Sequence, residues 1–121
     1  GRSGEPAVAI ADAETGRLLG SIGVRWNERR DVGEIGYWTR ADARGRGVIT
    51  RALKLVSTFA FEEEGAARLQ LRADIDNIGS RRAAEKAGYS FEGVQRAAHW
   101  NERLGRRQDH AMYSLLPGEI D

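Results

Sequence analysis

Two glycines alternate with two arginines in Arg44–Gly45–Arg46–Gly47, and an amphipathic run begins at once with Val48, Ile49 and Thr50. Glycine in a helix loses backbone entropy and packs nothing, so a pair of them at a helix mouth needs another reason. The first amides of a helix are unpaired and point outward, and the helix dipole favours an anion there. Without a Cβ the backbone can approach a ligand closely, and successive amides form a nest for phosphate oxygens. Arg44 to Thr50 is thus a candidate pyrophosphate cradle, with amide donors from about Arg46 onward. A plain glycine loop with solvated arginines fits the local pattern equally well. The spacing matches neither GxxxxGK(S/T) nor GxGxxG, which argues against a nucleoside-triphosphate or Rossmann site. The chain has no cysteine, hence no thiol nucleophile and no thiolate zinc site. Its two histidines, His99 and His110, cannot make a metal site alone, and no metal is expected.

The elements that must hold this turn follow from periodicity. Ala7–Asp12 is a short apolar strand, and the turn signal Ala13–Gly16 joins it to a second strand over Arg17–Trp26. Asn27–Asp31 is a polar turn, and Val32–Thr39 is an aromatic, β-branched third strand. The apolar period then changes from 2 to 3.6. Val48/Ile49, Leu53, Val56 and Phe59/Ala60 fall on one helical stripe that closes near Gly65. Arg68–Asp74 alternates as a strand, Asn77–Tyr89 reads as an N-capped helix closed by Gly88, and two strands flank the loop Asn101–Arg107. The order β-β-β-α-β-α-β-β predicts an α/β (α+β) domain: a mixed, mostly antiparallel sheet with helices on both faces. The helix after the third strand must cross to a parallel partner, and the carboxyl end of such a strand is the usual ligand crevice.

Three stretches in this order, GEIGYWTRADARGRGVITRAL, RLQLRADIDNIGSRRAAEKAGYSFEGVQR and DHAMYSLL, resemble the GNAT superfamily of acyl-CoA-dependent N-acetyltransferases. The likeness is to the branch that acetylates protein N-termini, including ribosomal-protein alanine and serine N-acetyltransferases. It runs from about Ala7 to Leu116. The family's acyl-CoA signature, Gln/Arg-x-x-Gly-x-Gly/Ala, falls on Arg44, Gly45, Arg46, Gly47, Val48 and Ile49, where Ile49 departs from the small final residue. The family usually has one further strand and one or two helices ahead of the strand at Ala7, forming a wall of the acceptor cleft. Their absence here leads us to expect either a processed chain or one that relies on a partner. The opening Gly1–Pro6 reads as a flexible linker or processed end of a single domain spanning 1–121.

The resemblance implies direct acetyl transfer from acetyl-CoA to a primary amine in a ternary complex. That chemistry needs a neutral amine, a stabilised oxyanion and a proton for the departing thiolate. A peptide α-amine has a pKa of roughly 8 against roughly 10.4 for lysine, so a modest base, or one acting through water, suffices. Glu34, among apolar residues of the third strand and on the same face as Trp38, is the candidate base; the alternative is a glutamate paired with an arginine on a neighbouring strand. Many family members protonate the thiolate with a tyrosine, but the matching position here is Ala84. The resembled branch has a serine in that helix's first turn, which is Ser80, otherwise a local backbone hydrogen bond. Asn77 is implied as a pantetheine contact as well as an N-cap. By the same resemblance, the strand splays near Tyr37, Trp38 and Thr39, and its amides bind the pantetheine and thioester carbonyl. Arg81, Arg82 and Lys86 could reach the 3′-phosphate or form a solvated face.

Composition sets the remaining bounds. The chain has 121 residues, 40% hydrophobic and 31% charged, with 19 basic against 18 acidic side chains and a net charge of +1. That is an ordinary soluble domain with no basic excess for nucleic acid or a membrane surface. No signal-peptide pattern or long apolar run appears, so a cytoplasmic protein is the default. A non-catalytic acyl-CoA-binding or assembly module is the alternative function. An apolar edge or cleft left by the missing leading segment is expected to promote homodimerisation.

Overall fold

The computed structural model describes residues 8–45 and 47–120. The expected Gly1–Pro6 start and Ala7, together with Arg46, lie outside them. Six strands and two helices run in the order β1 Val8–Ala11, β2 Leu18–Trp26, β3 Val32–Thr39, α1 Val48–Glu62, β4 Arg68–Asp74, α2 Ile78–Lys86, β5 Ser90–Asn101 and β6 Arg106–Leu115. A 3-10 turn over Ala41–Ala43 links β3 to the glycine–arginine segment.

The strands form one sheet in the order β1-β2-β3-β4-β6-β5, in which β3 and β4 are the one parallel pair among the described residues. The sheet is thus mostly antiparallel. Both described helices lie on the same face of it, which corrects the expectation of helices on both faces. The reason is topological. The α1 crossover carries the chain from β3 to parallel β4. The α2 crossover carries it from β4 to β5, which is parallel to β4 because each is antiparallel to β6. Both steps go the same way across the sheet, and right-handed connections then put both helices on one side.

Alternation divides the side chains accordingly. Ile22, Ile35, Leu69, Leu71, Ala111, Tyr113 and Leu115 face the helices and form one core with Leu53 and Ala60 of α1 and Ala83, Ala84 and Ala87 of α2. The opposite face carries polar side chains: Glu34 of β3 takes hydrogen bonds from Gln70 and Arg72 of β4, and Arg68 and Ser114 converge on Glu92 of β5. A smaller cluster of Leu19, Ala43 and Val48 fastens the 3-10 turn and the start of α1 to the end of the sheet. No helix among the described residues is long and apolar enough to cross a membrane.

Candidate functional site

The parallel pairing of β3 with β4 stops at Ile35 opposite Leu71. Beyond it, β3 keeps its antiparallel partner β2 as far as Thr39 opposite Gly20, while β4 keeps β6 as far as Asp74 opposite His110. The two central strands therefore part at their carboxyl ends. The amides of Gly36 and Trp38 turn toward β2, in step with the Arg40 N–H to Leu19 carbonyl bond. Beyond Ile35 it is therefore the Tyr37 and Thr39 amides that point to the β4 side with no ladder partner, and the crevice opens where open sheets normally take ligands.

The glycine–arginine turn and the start of α1 stand at one lip of this crevice. Gly45 has φ 78° and Gly47 φ 73°, both left-handed, so the conformation itself selects glycine. An added Cβ on Gly45 would meet nothing within 4 Å, and one on Gly47 only the Arg51 guanidinium. These glycines are therefore required by backbone shape and leave open space beside it. Gly47 is also the N-cap of α1, and no side chain caps that end. The amides of Val48, Ile49 and Thr50 lie before the first intrahelical bond, Arg51 N–H to the Gly47 carbonyl at 3.1 Å, and so have no intrahelical acceptor.

The start of α2 forms the other lip. Asn77 is its N-cap, and its side-chain oxygen accepts from the Ser80 amide at 3.1 Å. The Ser80 hydroxyl reaches back across the crevice to the Tyr37 phenol of β3 at 2.7 Å. Burial pushes the Tyr37 phenol above its ordinary value, against the opposing effect of the Ser80 hydrogen bond.

Between the lips lies a cavity of about 720 Å³. It is lined by Tyr37, Trp38 and Thr39 of β3, by Arg44, Gly45, Gly47, Ile49 and Thr50 of the turn and α1, and by Asn77 and Ser80 of α2. Arg82 and Lys86, one turn apart on α2, line it as well, and Arg103 reaches it from the loop between β5 and β6. Arg44, Arg82, Lys86 and Arg103 have no ion pair or side-chain hydrogen bond among the described residues. Four uncompensated cations and a helix N-terminus around one cavity suit a ligand with several negative charges. No described group of His, Asp or Glu could hold a metal ion.

Most residues singled out from the sequence meet here, with four exceptions. Val48 is buried in the small cluster under the 3-10 turn and contributes only its backbone. Arg46 is outside the described residues. Arg81 does not line the cavity: its Nε donates to the Tyr113 hydroxyl at 3.0 Å and its Nη1 to the Ile75 carbonyl at 3.2 Å. The stripe of Arg81 and Glu85 faces β6, where Glu85 accepts from the same tyrosine. The next stripe, Arg82 and Lys86, faces the cavity. Glu34 lies on the other side of the sheet, where Oε1 accepts from Gln70 at 2.9 Å and Oε2 from Arg72 at 2.7 Å. It is thus paired with an arginine of the neighbouring strand. It shares a face with Trp38, whose side chain is 51% exposed, and stands about 13 Å back along the strand from it at ordinary strand rise.

Arg103 was not found from the sequence. Nothing local marks it, because only the hairpin of β5 and β6 carries it from the far edge strand to α2. His99 and Trp100 do not line the cavity; His99 stacks on His110 at 5.4 Å between ring centroids.

The family described as acetyltransferase (GNAT) domain matches residues 2–90 of the chain. YdaF of Bacillus subtilis (strain 168), which carries the name of a ribosomal N-acetyltransferase, is 37% identical over 86 residues, 71% of this chain and 46% of YdaF. YjcK of the same strain, whose name is that of an N-acetyltransferase, is 32% identical over 110 residues, 88% of this chain and 59% of YjcK. Among solved structures, a probable acetyltransferase superposes with a TM-score of 0.80 at 34% identity, covering 86% of this chain and 57% of that one. Mycobacterium smegmatis RimJ, solved with CoA-disulfide, shares the fold at a TM-score of 0.77 and 22% identity, over 86% of this chain and 50% of RimJ. The chain thus spans about half the length of the relatives it matches.

Proposed function

Because the chain belongs to the acetyltransferase (GNAT) domain family, we propose that it binds acetyl-CoA in this cavity and passes the acetyl group to a primary amine, that of a protein N-terminus or of a small molecule. One observation carries the reading. The parted ends of β3 and β4, the uncapped start of α1 and the four unpaired cations open into one cavity. The ligand that fits is long, polyanionic at one end and hydrogen-bonding along its length. Acetyl-CoA supplies an activated thioester, and the chain's residues do the rest.

The amides of Val48, Ile49 and Thr50, with Arg44, hold the pyrophosphate, while Arg82, Lys86 and Arg103 hold the remaining phosphate. The unpaired β3 amides of Tyr37 and Thr39 orient the pantetheine and the thioester carbonyl, and Asn77 contributes from the α2 cap. Ser80 holds the proton needed by the leaving sulfur. Glu34 lies on the face from which an acceptor passing Trp38 would approach. Because both of its oxygens are engaged and it is set back along β3, it takes the amine's proton through water and by loosening the Arg72 contact. A protein N-terminal acceptor is supported by the low pKa of an α-amine, which asks little of such a base, and by the name that YdaF carries. The cell compartment in this reading is the cytoplasm.

Titration with acetyl-CoA and with CoA, using the chain and Gly47→Trp, tests the binding half. We expect micromolar affinity, lost in Gly47→Trp because the indole would fill the turn. Unchanged affinity in that variant would move the site elsewhere. A second reading, an acyl-CoA-binding module without transfer, is favoured by the engaged Glu34 carboxylate and by the fully buried Ala84, at the position where the family resemblance implies a proton-donating tyrosine. Acetyl-CoA binding with no product from any N-terminal peptide or small amine would select it.

A further inference from the structure

We propose that Tyr37 is the positioning residue for Ser80: the two hydroxyls form one proton-holding pair that serves the sulfur leaving acetyl-CoA. This rests on the acetyl-transfer reading above, and extends it to a side chain that the sequence suggested only for its backbone. The pair is built from two elements. Tyr37 comes from the parted end of β3, on the helix-facing side with Ile35, and Ser80 from the first turn of α2. Their oxygens are 2.7 Å apart, and the phenol also lies 3.3 Å from the Ser80 carbonyl.

A serine in a helix's first turn commonly folds back onto its own backbone. Here Asn77 already caps the Ser80 amide, so the hydroxyl is left to the phenol. Hydroxyl side chains reach the cavity lining at Tyr37, Thr39, Thr50 and Ser80, and Tyr37 with Ser80 is the pair among them that is hydrogen-bonded together among the described residues. Ala84, one turn beyond Ser80, is fully buried and has no hydroxyl to offer. Burial keeps the Tyr37 phenol protonated at neutral pH.

The step balances without any added reagent. As the amine nitrogen bonds to the acetyl carbon, the carbon–sulfur bond breaks and its electron pair stays on sulfur. The sulfur takes the Ser80 proton, and Ser80 takes the Tyr37 proton. The proton released by the amine returns through solvent to the phenolate. The products are the amide and free CoA thiol.

The test is a cycle of Tyr37→Phe, Ser80→Ala and the double variant, assayed with acetyl-CoA and an N-terminal peptide amine and compared for kcat, KM and pH profile. Removing a general acid costs on the order of a hundredfold. We expect Tyr37→Phe to lower kcat about tenfold with the KM for acetyl-CoA unchanged, and to shift the fall of kcat at high pH. The double variant should be no slower than Ser80→Ala. A wild-type kcat in Tyr37→Phe, or fully additive losses, overturns this inference and leaves Ser80 in its role. A wild-type rate in Ser80→Ala removes the acid role and this inference but not acetyl transfer. No transfer by the parent chain removes both. A measurement independent of turnover is the spectroscopic titration of the Tyr37 phenol. Loss of the Ser80 hydroxyl should raise its midpoint, and an unmoved midpoint also overturns the pairing.

Discussion

Ser57 and Tyr89 share a hydrogen bond of 2.7 Å where α1 meets the segment leading into β5, and both are buried. Burial pushes the Tyr89 phenol up to about 12, so it stays neutral throughout the stable range. A buried hydroxyl that loses its partner costs about 1–3 kcal/mol, whereas removing both partners costs much less than twice that. We therefore expect Tyr89→Phe and Ser57→Ala each to lower the urea unfolding free energy by about that amount. The double variant should be clearly less destabilised than their sum; strict additivity would show that the contact contributes nothing. The glycine turn gives a different residue-scale expectation. At Gly45 an added methyl meets nothing, so Gly45→Ala carries only the left-handed backbone cost of about 1–2 kcal/mol, and Gly45→Asn should cost less. Equal losses in the two variants would point to a steric cause instead. Residue types and spacing made the glycine pair, the Asn77 cap and Ser80 legible. They could not separate Arg81 from Arg82, because adjacent helix residues differ by about 100° in direction and only packing decides which stripe meets the cavity. Nor could they place the partners of Glu34, which lie in β4, some 36 residues along the chain.

The strands β4, β5 and β6 are clasped on the open face by a single cluster. Arg68 of β4 donates to both oxygens of Glu92 of β5, at 2.9 and 2.8 Å, and the Ser114 hydroxyl of β6 donates to the same carboxylate at 2.6 Å. The Arg68 guanidinium, followed by the Ser114 hydroxyl, holds the Glu92 carboxyl down at about 2. A carboxyl lower in the folded than in the unfolded chain stabilises the fold above its unfolded value. That contribution should fade as pH falls from about 4.5 toward 2. Thermal melts across this window should show a steeper acid decline for the parent than for Glu92→Gln, and parallel curves would mean the clasp is too solvated to matter. At this scale periodicity served well. The strand and helix bounds expected from the sequence differ from those observed by a few residues at most, because each element has a strong period and a turn residue at its end. The distortion of β5 was not legible. Gln95 pairs with His110 and His99 with Gln108, so Arg96, Ala97 and Ala98 stand opposite Asp109 alone. Ala97 adopts φ 52° there, its amide bonded to Asp109 and its carbonyl to Arg107. A left-handed alanine has no signal in sequence, since alanine is chosen there by partners on the facing strand and not by its own preference.

For the molecule as a whole, the question is what its uncovered surfaces do. One sheet face is closed by both helices; the other is open among the described residues. That open face is not the apolar cleft from which homodimerisation was expected. Its centre is Glu34 with Arg72 and Arg68 with Glu92, charges already compensated within the sheet. Among the described residues, the sheet edges are guarded in two ways that disfavour joining another sheet. On one side the described part of β1, Val8–Ala11, is short and irregular at Ile10 and Ala11. On the other, β5 is long but broken by a register shift between Phe91 and Gly93 and by the bulge over Arg96–Ala98. Deleting Arg96 and Ala97 leaves Ala98 alone opposite Asp109 and restores a regular ladder. Its free edge would then be straight across Val94, Gln95 and His99, flanked by exposed Val94 and Trp100. We expect the parent chain to scatter light as a monomer and the deletion variant to associate with rising concentration, at unchanged far-ultraviolet dichroism. A parent dimer that high salt dissolves would point to the polar open face, not an edge, as the contact. A deletion variant that folds and stays monomeric would show that the bulge shapes the β5–β6 hairpin, and so the reach of Arg103 to the cavity, without guarding the edge.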